Sequence, residues 1–412
     1  MRLRFDWRIK ESFLSICLLC IVVALFITWP LALNMGGFVL PQIYPDIKHS
    51  DSLQHMGVIH EVKRLIDNGE SPVVADKRDV SQSYIFLGVL LTEYLGMEDV
   101  VFHNLFFLSS LVLAGVFMYL LMLELSKDRL AAVLAGFIYM SSCYIPYAYY
   151  WGHSNTMQIQ WIPLVFYFFE RIIKDGRLKD GLFLGVAMAM QVFGSTYHVV
   201  HLSFMLPFYF IVRGSILGWK PAISMERIAA LGASVISCIL LSSFYLLKKL
   251  KSEAIIRTLS ENLNPLWRLD YAGELFGIEA HLYIGLMQVL LFCLGVIMIV
   301  KNFRQTEYKV FGVYGIIGLF VLICLIGPVS VIAPYYWLFR FWPFFDHLRV
   351  AFRMYPFFLM GVSVVASAVL VYMKSKPAFK RYRIYAAAFF ILVMVVQILL
   401  SPWLANLHVY FV

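Results

Sequence analysis

The sequence predicts an all-α, polytopic transmembrane helical bundle of about 11 spans, with long external loops that carry interfacial helices. Three observations predict it. Hydrophobic residues make up 61% of the 412 positions and charged residues only 14%, against about a quarter in soluble proteins. Apolar stretches near the roughly 20 residues needed to cross a bilayer recur along the whole chain. The basic residues gather in alternate connecting segments, as orientation in a membrane requires. This composition excludes a soluble enzyme, a disordered chain and a nucleic-acid-binding domain, and no nucleic-acid partner is expected.

The apolar stretches cover 12–33, 100–124, 130–150, 156–173, 181–195, 199–213, 228–247, 282–300, 310–327, 350–373 and 384–406. The first is too long, with flanks too poor in small residues, for a cleavable signal peptide. Arg2, Arg4, Arg8 and Lys10 place the N-terminus in the cytoplasm, and alternation places the C-terminus outside the cell membrane. Most of the 34 Lys and Arg then fall on the cytoplasmic side, so the net charge of +9 reflects orientation more than an acidic partner. Lys248, Lys249 and Lys251 are the exception and have no orientation-based account. Cys17, Cys20, Cys143, Cys238, Cys293 and Cys324 lie in apolar runs, so neither a disulfide framework nor a zinc site is expected.

Residues 181–213 form one apolar stretch, about 50 Å long as a single helix. Basic residues flank it on both sides: Arg171, Lys174, Arg177 and Lys179 before, Arg213, Lys220 and Arg227 after. An even number of crossings follows, hence a short helical hairpin turning at Gly194-Ser195-Thr196-Tyr197-His198. Broken backbone at membrane depth is tolerated where it lines a cavity or is buried in protein.

The long external segments are about 34–99, 248–281 and 328–349 within a single membrane domain spanning 1–412. In the first, Asp51 opens an amphipathic helix in which His55, Ile59, Val62 and Ile66 stack at helical spacing. Asp51 with Gln54 reads as a capping box. It reads equally as a carboxylate held rigidly at a helix start, able to act as a base. His49, His55 and His60 with Asp46 and Asp51 match no compact metal motif. Asp76 and Asp79 suit a solvated charged turn. His153 and Gln158, in the turn after Trp151, face the same side; their simpler reading is satisfaction of backbone groups. Arg268, Asp270, Glu274 and Glu279 precede the span near Leu282, as interfacial charges or as a second acid. The aromatic run Tyr335 to Phe339 suits an interfacial helix. Arg349 and Arg353 lie four apart at the start of an apolar span, where the choice is between snorkelling to headgroups and bidentate phosphate binding. The convergence of aromatic-rich loops there favours phosphate.

In order, these features resemble the bacterial and archaeal multi-pass membrane proteins of the GT-C glycosyltransferase superfamily, which use polyprenyl-phosphate-linked sugars. The resemblance spans roughly 12–360. It rests on Asp51-Ser52-Leu53-Gln54-His55, His103-Asn104-Leu105, Leu113 to Leu120, Ala131 to Tyr139, Gly152-His153, Gln160 to Leu164, and Phe344 to Arg353 with its Leu348-Arg349-Val350 and Arg353 element. It implies a transfer of sugar from a polyprenyl-phosphate donor to an acceptor on the external face. The family's base in the first external loop matches Asp51. Arg349 and Arg353 would hold the departing phosphate, and His153, Gln158, Tyr197, His198, Gln54 and His55 would line the substrate site. Two departures stand out. Only His408 to Val412 follow the last span, where many relatives carry a large external domain. A paired-acid motif is missing, so Asp46, Glu274 and Glu279 stay open as second acids, and a divalent-metal requirement stays open with them. The expected partners are the lipid-linked donor and membrane lipids. A lipid-linked oligosaccharide flippase or polymerase, and a non-catalytic membrane assembly factor, are the alternatives. Transport expects charged groups at mid-membrane and repeat symmetry, whereas here the polar groups gather at one face.

Overall fold

The computed structural model describes residues 7–28, 35–36, 51–70, 80–142, 144–145, 148, 153–219, 224–251, 285–348 and 350–399, without the side chains at 7–13, 51–54, 246–251 and 399. Among the described residues the chain is all-helical. In order come α1 (Trp7–Ile27), α2 (Asp51–Asp67), α3 (Gln82–Gly88) running into a π-helical turn (Val89–Tyr94), α4 (Asp99–Ser126) and α5 (Arg129–Met140). Next are α6 (Trp161–Asp175), α7 (Leu178–Gly194), α8 (Thr196–Leu217) and α9 (Met225–Lys251). The last are α10 (Leu286–Lys301), α11 (Thr306–Leu325), α12 (Pro334–Phe341), two 3₁₀ turns (Phe345–His347 and Ala351–Met354), α13 (Tyr355–Ser375), α14 (Pro377–Lys380) and α15 (Arg383–Leu399).

Among the described residues, five helical segments are long and apolar enough to cross a membrane: Asp99–Ser126, Thr196–Leu217, Met225–Tyr245, Thr306–Leu325 and Ala351–Ser375. Leu14–Ile27, Arg129–Met140, Leu286–Lys301 and Arg383–Ile398 are apolar but shorter. Within 130–150 the helix α5 ends at Met140 after 12 residues, with Tyr144, Ile145 and Ala148 helical beyond it, and 156–173 yields the 15-residue α6. The long apolar stretch 181–213 is two helices, α7 and α8, interrupted at Ser195. The second is longer than the hairpin reading expects, because it starts at Thr196 and continues past Arg213 to Leu217.

The bundle is organised around α13, whose apolar window is entirely buried, whereas those of α8 and α9 are only 28% and 22% buried. Helices α5, α10 and α11 pack on α13, α4 bridges α5 and α6, and α7 joins α6 to α9. Glycines set the closest crossings. A Cβ at Gly136 would meet the Gly115 carbonyl of α4, and one at Gly361 would meet the Tyr314 carbonyl and the Gly318 backbone of α11. Where both helix faces are apolar, such close packing rather than hydrophobic contrast holds helices together.

One end of the bundle is basic and ion-paired. There Glu124 binds Lys127 and Lys174, Arg171 binds Asp180, and the buried Glu170 binds Arg213 at 3.1 Å. Asp128 is the hub. Its carboxylate accepts from the Ala131 N–H at 3.0 Å, capping α5, and pairs with Arg383 at 2.5 Å and Lys374 at 3.2 Å. Burial alone would raise its pKa, but the Ala131 N–H and the two cations outweigh burial and hold it below the usual value. Its contribution to stability is therefore present above the ordinary aspartate range and lost as pH falls through the depressed value. An Asp128→Ala variant strands two cations and uncaps α5, and should cost about 3 kcal/mol. A thermal midpoint in detergent unchanged from wild type would sink that assignment. The opposite end gathers α2, α3, the π-helical turn, α12 and both 3₁₀ turns. His60 of α2 reaches Asp99 at the start of α4, and Ser81 Oγ donates to the Phe193 carbonyl near the end of α7.

Candidate functional site

The break between α7 and α8 organises the site. Ser195 is extended (φ −156°, ψ 110°), so α7 stops and α8 restarts after a single residue. Gly194 lets this corner lie against Gln158, since a Cβ there would come 2.9 Å from the Gln158 Cβ. Gln158 is itself held: its Nε2 donates to Ser110 Oγ at 2.9 Å, its Oε1 accepts from Gln160 at 2.8 Å, and its carbonyl accepts from Gln191 Nε2 at 3.1 Å. Gln158 therefore reads as a strut under the corner, with both ends of its amide engaged. His153 is half-buried in the adjoining turn, which is tied to the start of α3 through Ser154.

The first turns of α8 carry Tyr197, His198 and His201 inward, all buried. Arg353, in the 3₁₀ turn before α13 and only 6% exposed, lays its guanidinium 3.7 Å from the centroid of the Tyr197 ring. A cation on a desolvated tyrosine face is worth about 2 kcal/mol. Arg353 thus stands over the residue next to His198 and one helical turn from His201, and Tyr335 joins the cluster through the Phe345 ring at 6.1 Å. The two imidazoles lie 6.3 Å apart, and His201 meets the rings of Phe345 and Phe357 at 5.6 and 6.1 Å. Among the described residues neither ring nitrogen of His198 or of His201 has a hydrogen-bond partner, nor has Ser195 Oγ. Buried polar atoms of this kind are normally satisfied by water or by a ligand. A guanidinium, a helix N-terminus and imidazole groups in one buried corner suit an anion of the phosphate class.

The structure brings Tyr197, His198 and Arg353 together and sets Gln158 directly behind them. His55 belongs to a different cluster: it is buried on α2, its ring 6.3 Å from that of Tyr84, whose hydroxyl pairs with His103 Nδ1 at 3.0 Å. Helix α2 does begin at Asp51, while the side chains of Asp51 and Gln54 lie outside the described residues, as do Arg349, Asp46, Glu274 and Glu279 altogether. Among the described residues no group of three or more His, Cys, Asp or Glu is placed to hold a metal ion. His201, Ser195 and Tyr335 are additions that the sequence reasoning did not assign to the site. A histidine inside an apolar span was a usable signal for the first of them. No protein-family model matches the chain, and no curated protein matches it.

Proposed function

We propose that the protein is a membrane glycosyltransferase of the GT-C kind, moving a sugar from a polyprenyl-phosphate donor to an acceptor hydroxyl on the external face. The observation that supports this most is the buried Arg353 stacked on Tyr197 beside His198 at the start of α8. It is a cationic corner inside an otherwise apolar bundle, suited to a phosphate whose tail stays in lipid. On this reading about eleven segments cross the cell membrane and the basic, ion-paired end is cytoplasmic. The N-terminus is then cytoplasmic and the C-terminus external.

Asp51, at the start of α2, would take the proton from the acceptor hydroxyl as its oxygen attacks the anomeric carbon. The bond from that carbon to the donor phosphate breaks, and the lipid phosphate leaves with the electron pair. Arg353, with Arg349, would stabilise the charge that builds on the phosphate. Tyr197, His198 and His153 would bound the sugar.

Asp51→Asn keeps the shape of the residue and removes the base. In membranes from cells lacking the wild-type copy, transfer from a polyprenyl-phosphate sugar should fall by about a hundredfold or more. Undiminished transfer rules out Asp51 as the base. Lipid movement that is insensitive to Asp51→Asn, with no transfer detected in wild type, favours a flippase. Neutrality of Asp51, Arg349 and Arg353 changed together favours an assembly factor.

A further inference from the structure

A second histidine, on the exposed side of α2, is placed between two carboxylates. His60 Nδ1 lies 2.5 Å from Glu93, and His60 Nε2 lies 2.9 Å from Asp99. The two partners come from different elements. Glu93 is delivered by the π-helical turn Val89–Tyr94, and Asp99 opens α4. They approach opposite edges of the ring, so they cannot share one metal ion with it. What they can share is the ring's protons. A carboxylate only accepts, so both contacts are hydrogen bonds only when both ring nitrogens carry hydrogen, and that species is the imidazolium.

We propose that His60 is a proton-operated clasp: protonated, it ties α2 at once to the π-helical turn and to α4, and deprotonated, it releases one of the two. Other charged and titratable groups surround it, and Lys63 adds a contact to the π-helical turn that keeps its charge across the same pH range. On α2 they are Glu61, Lys63 and Arg64, with Lys63 bonded to Asp67 and lying 5.2 Å from the Tyr94 ring centroid. At the start of α4 there is also Glu98, and on α3 only Tyr84, which bonds His103. The ring is 56% exposed, so it exchanges protons with solvent freely.

The direction of the response follows from charge. Partial burial works against the imidazolium, but Asp99 and then Glu93 outweigh it and hold the His60 pKa above its ordinary 6.5. The clasp is therefore closed below the ordinary value and opens as pH rises through the raised one. Two exposed charge pairs hold α2 by about 1 kcal/mol together, roughly a fivefold effect on its opening. Because α2 begins at Asp51, the clasp would tune the proposed base; that consequence alone rests on the glycosyltransferase reading.

The test is hydrogen exchange of the α2 amides in the full-length protein in detergent, at pH 5.5 and 8.5, corrected for intrinsic exchange. Wild-type α2 should be about fivefold better protected at the lower pH. His60→Gln should show the high-pH protection at both values, with α13 protection unchanged as the check that the bundle is folded. A Glu93→Gln/Asp99→Asn double variant should also lose the pH response. Equal wild-type protection at both pH values, or a response that survives in either variant, overturns the clasp. No arm depends on transfer activity, so failure of the clasp and failure of the proposed function are separately visible.

Discussion

Arg353→Gln is expected to weaken binding of a polyprenyl phosphate by about a hundredfold, the equivalent of roughly 3 kcal/mol for removing one partner of a buried charged contact. The guanidinium is buried and stacked on Tyr197, which precedes His198 and lies one helical turn from His201. Arg353→Lys keeps the charge but loses the planar stack and the forked donors, so it should recover only part of the affinity. Tyr197→Leu removes the ring under the guanidinium while leaving the charge, and should cost about tenfold. The measurement is equilibrium binding of a short-chain polyprenyl phosphate to purified protein in detergent, with inorganic phosphate as the tail-less control. Wild-type affinity in Arg353→Gln, with the fold intact by thermal melting, would remove the anion site from the proposal.

Gly361→Leu should damage the fold at the close crossing of α13 and α11. A Cβ at Gly361 would come 2.7 Å from the Tyr314 carbonyl and 2.9 Å from the Gly318 Cα, so the obstacle is backbone of α11 rather than a side chain able to turn away. Helix α13 is the central element of the bundle, and separating it from α11 disturbs the packing on both. The expected loss is about 3 kcal/mol or more, read as a lower thermal midpoint and reduced recovery of monodisperse protein. Gly57→Leu is the contrasting control, because nothing lies within 4 Å of a Cβ there. If the two variants melt alike, the close crossing is not what holds these helices.

Much of the helix pattern was legible because its signals are local. Hydropathy marks where apolar helices run, and flanking charge split 181–213 into two, which is how α7 and α8 occur. The capping pattern marked Asp51 as a helix start, and α2 begins there. Its four-residue spacing marked the buried face, on which His55, Ile59 and Val62 are indeed buried. The aromatic run from Tyr335 became α12. The single-residue break at Ser195 shows only in the folded chain, because an apolar pattern resumes on either side of it and looks continuous.

The site was only partly legible. Arg353, Tyr197 and His198 stood out as polar groups in or beside apolar spans, and they meet. His55 stood out equally, and it packs instead with Tyr84 in the cluster formed by α2, α3 and α4. Gln158 drew notice as a polar group at a helix mouth, yet it serves as a strut between Ser110, Gln160 and Gln191. Which polar groups converge depends on which helix faces meet. Helices such as α4 and α11 are apolar all round, so no periodicity distinguishes a lipid-facing side from a packed one.

Composition, charge alternation and capping were therefore enough to establish an all-helical, membrane-suited chain and where many of its helices begin and break. Those properties are set by residues within a turn or two of one another. The pairing of Arg353 with Tyr197, the addition of His201, the Gly318 and Gly361 crossing, and the His60 bridge to Glu93 and Asp99 came from the packed bundle alone. Each joins segments far apart in the chain, and what selects them is the close fit of backbones and the need to satisfy buried polar atoms. Neither leaves a local trace in the order of the residues.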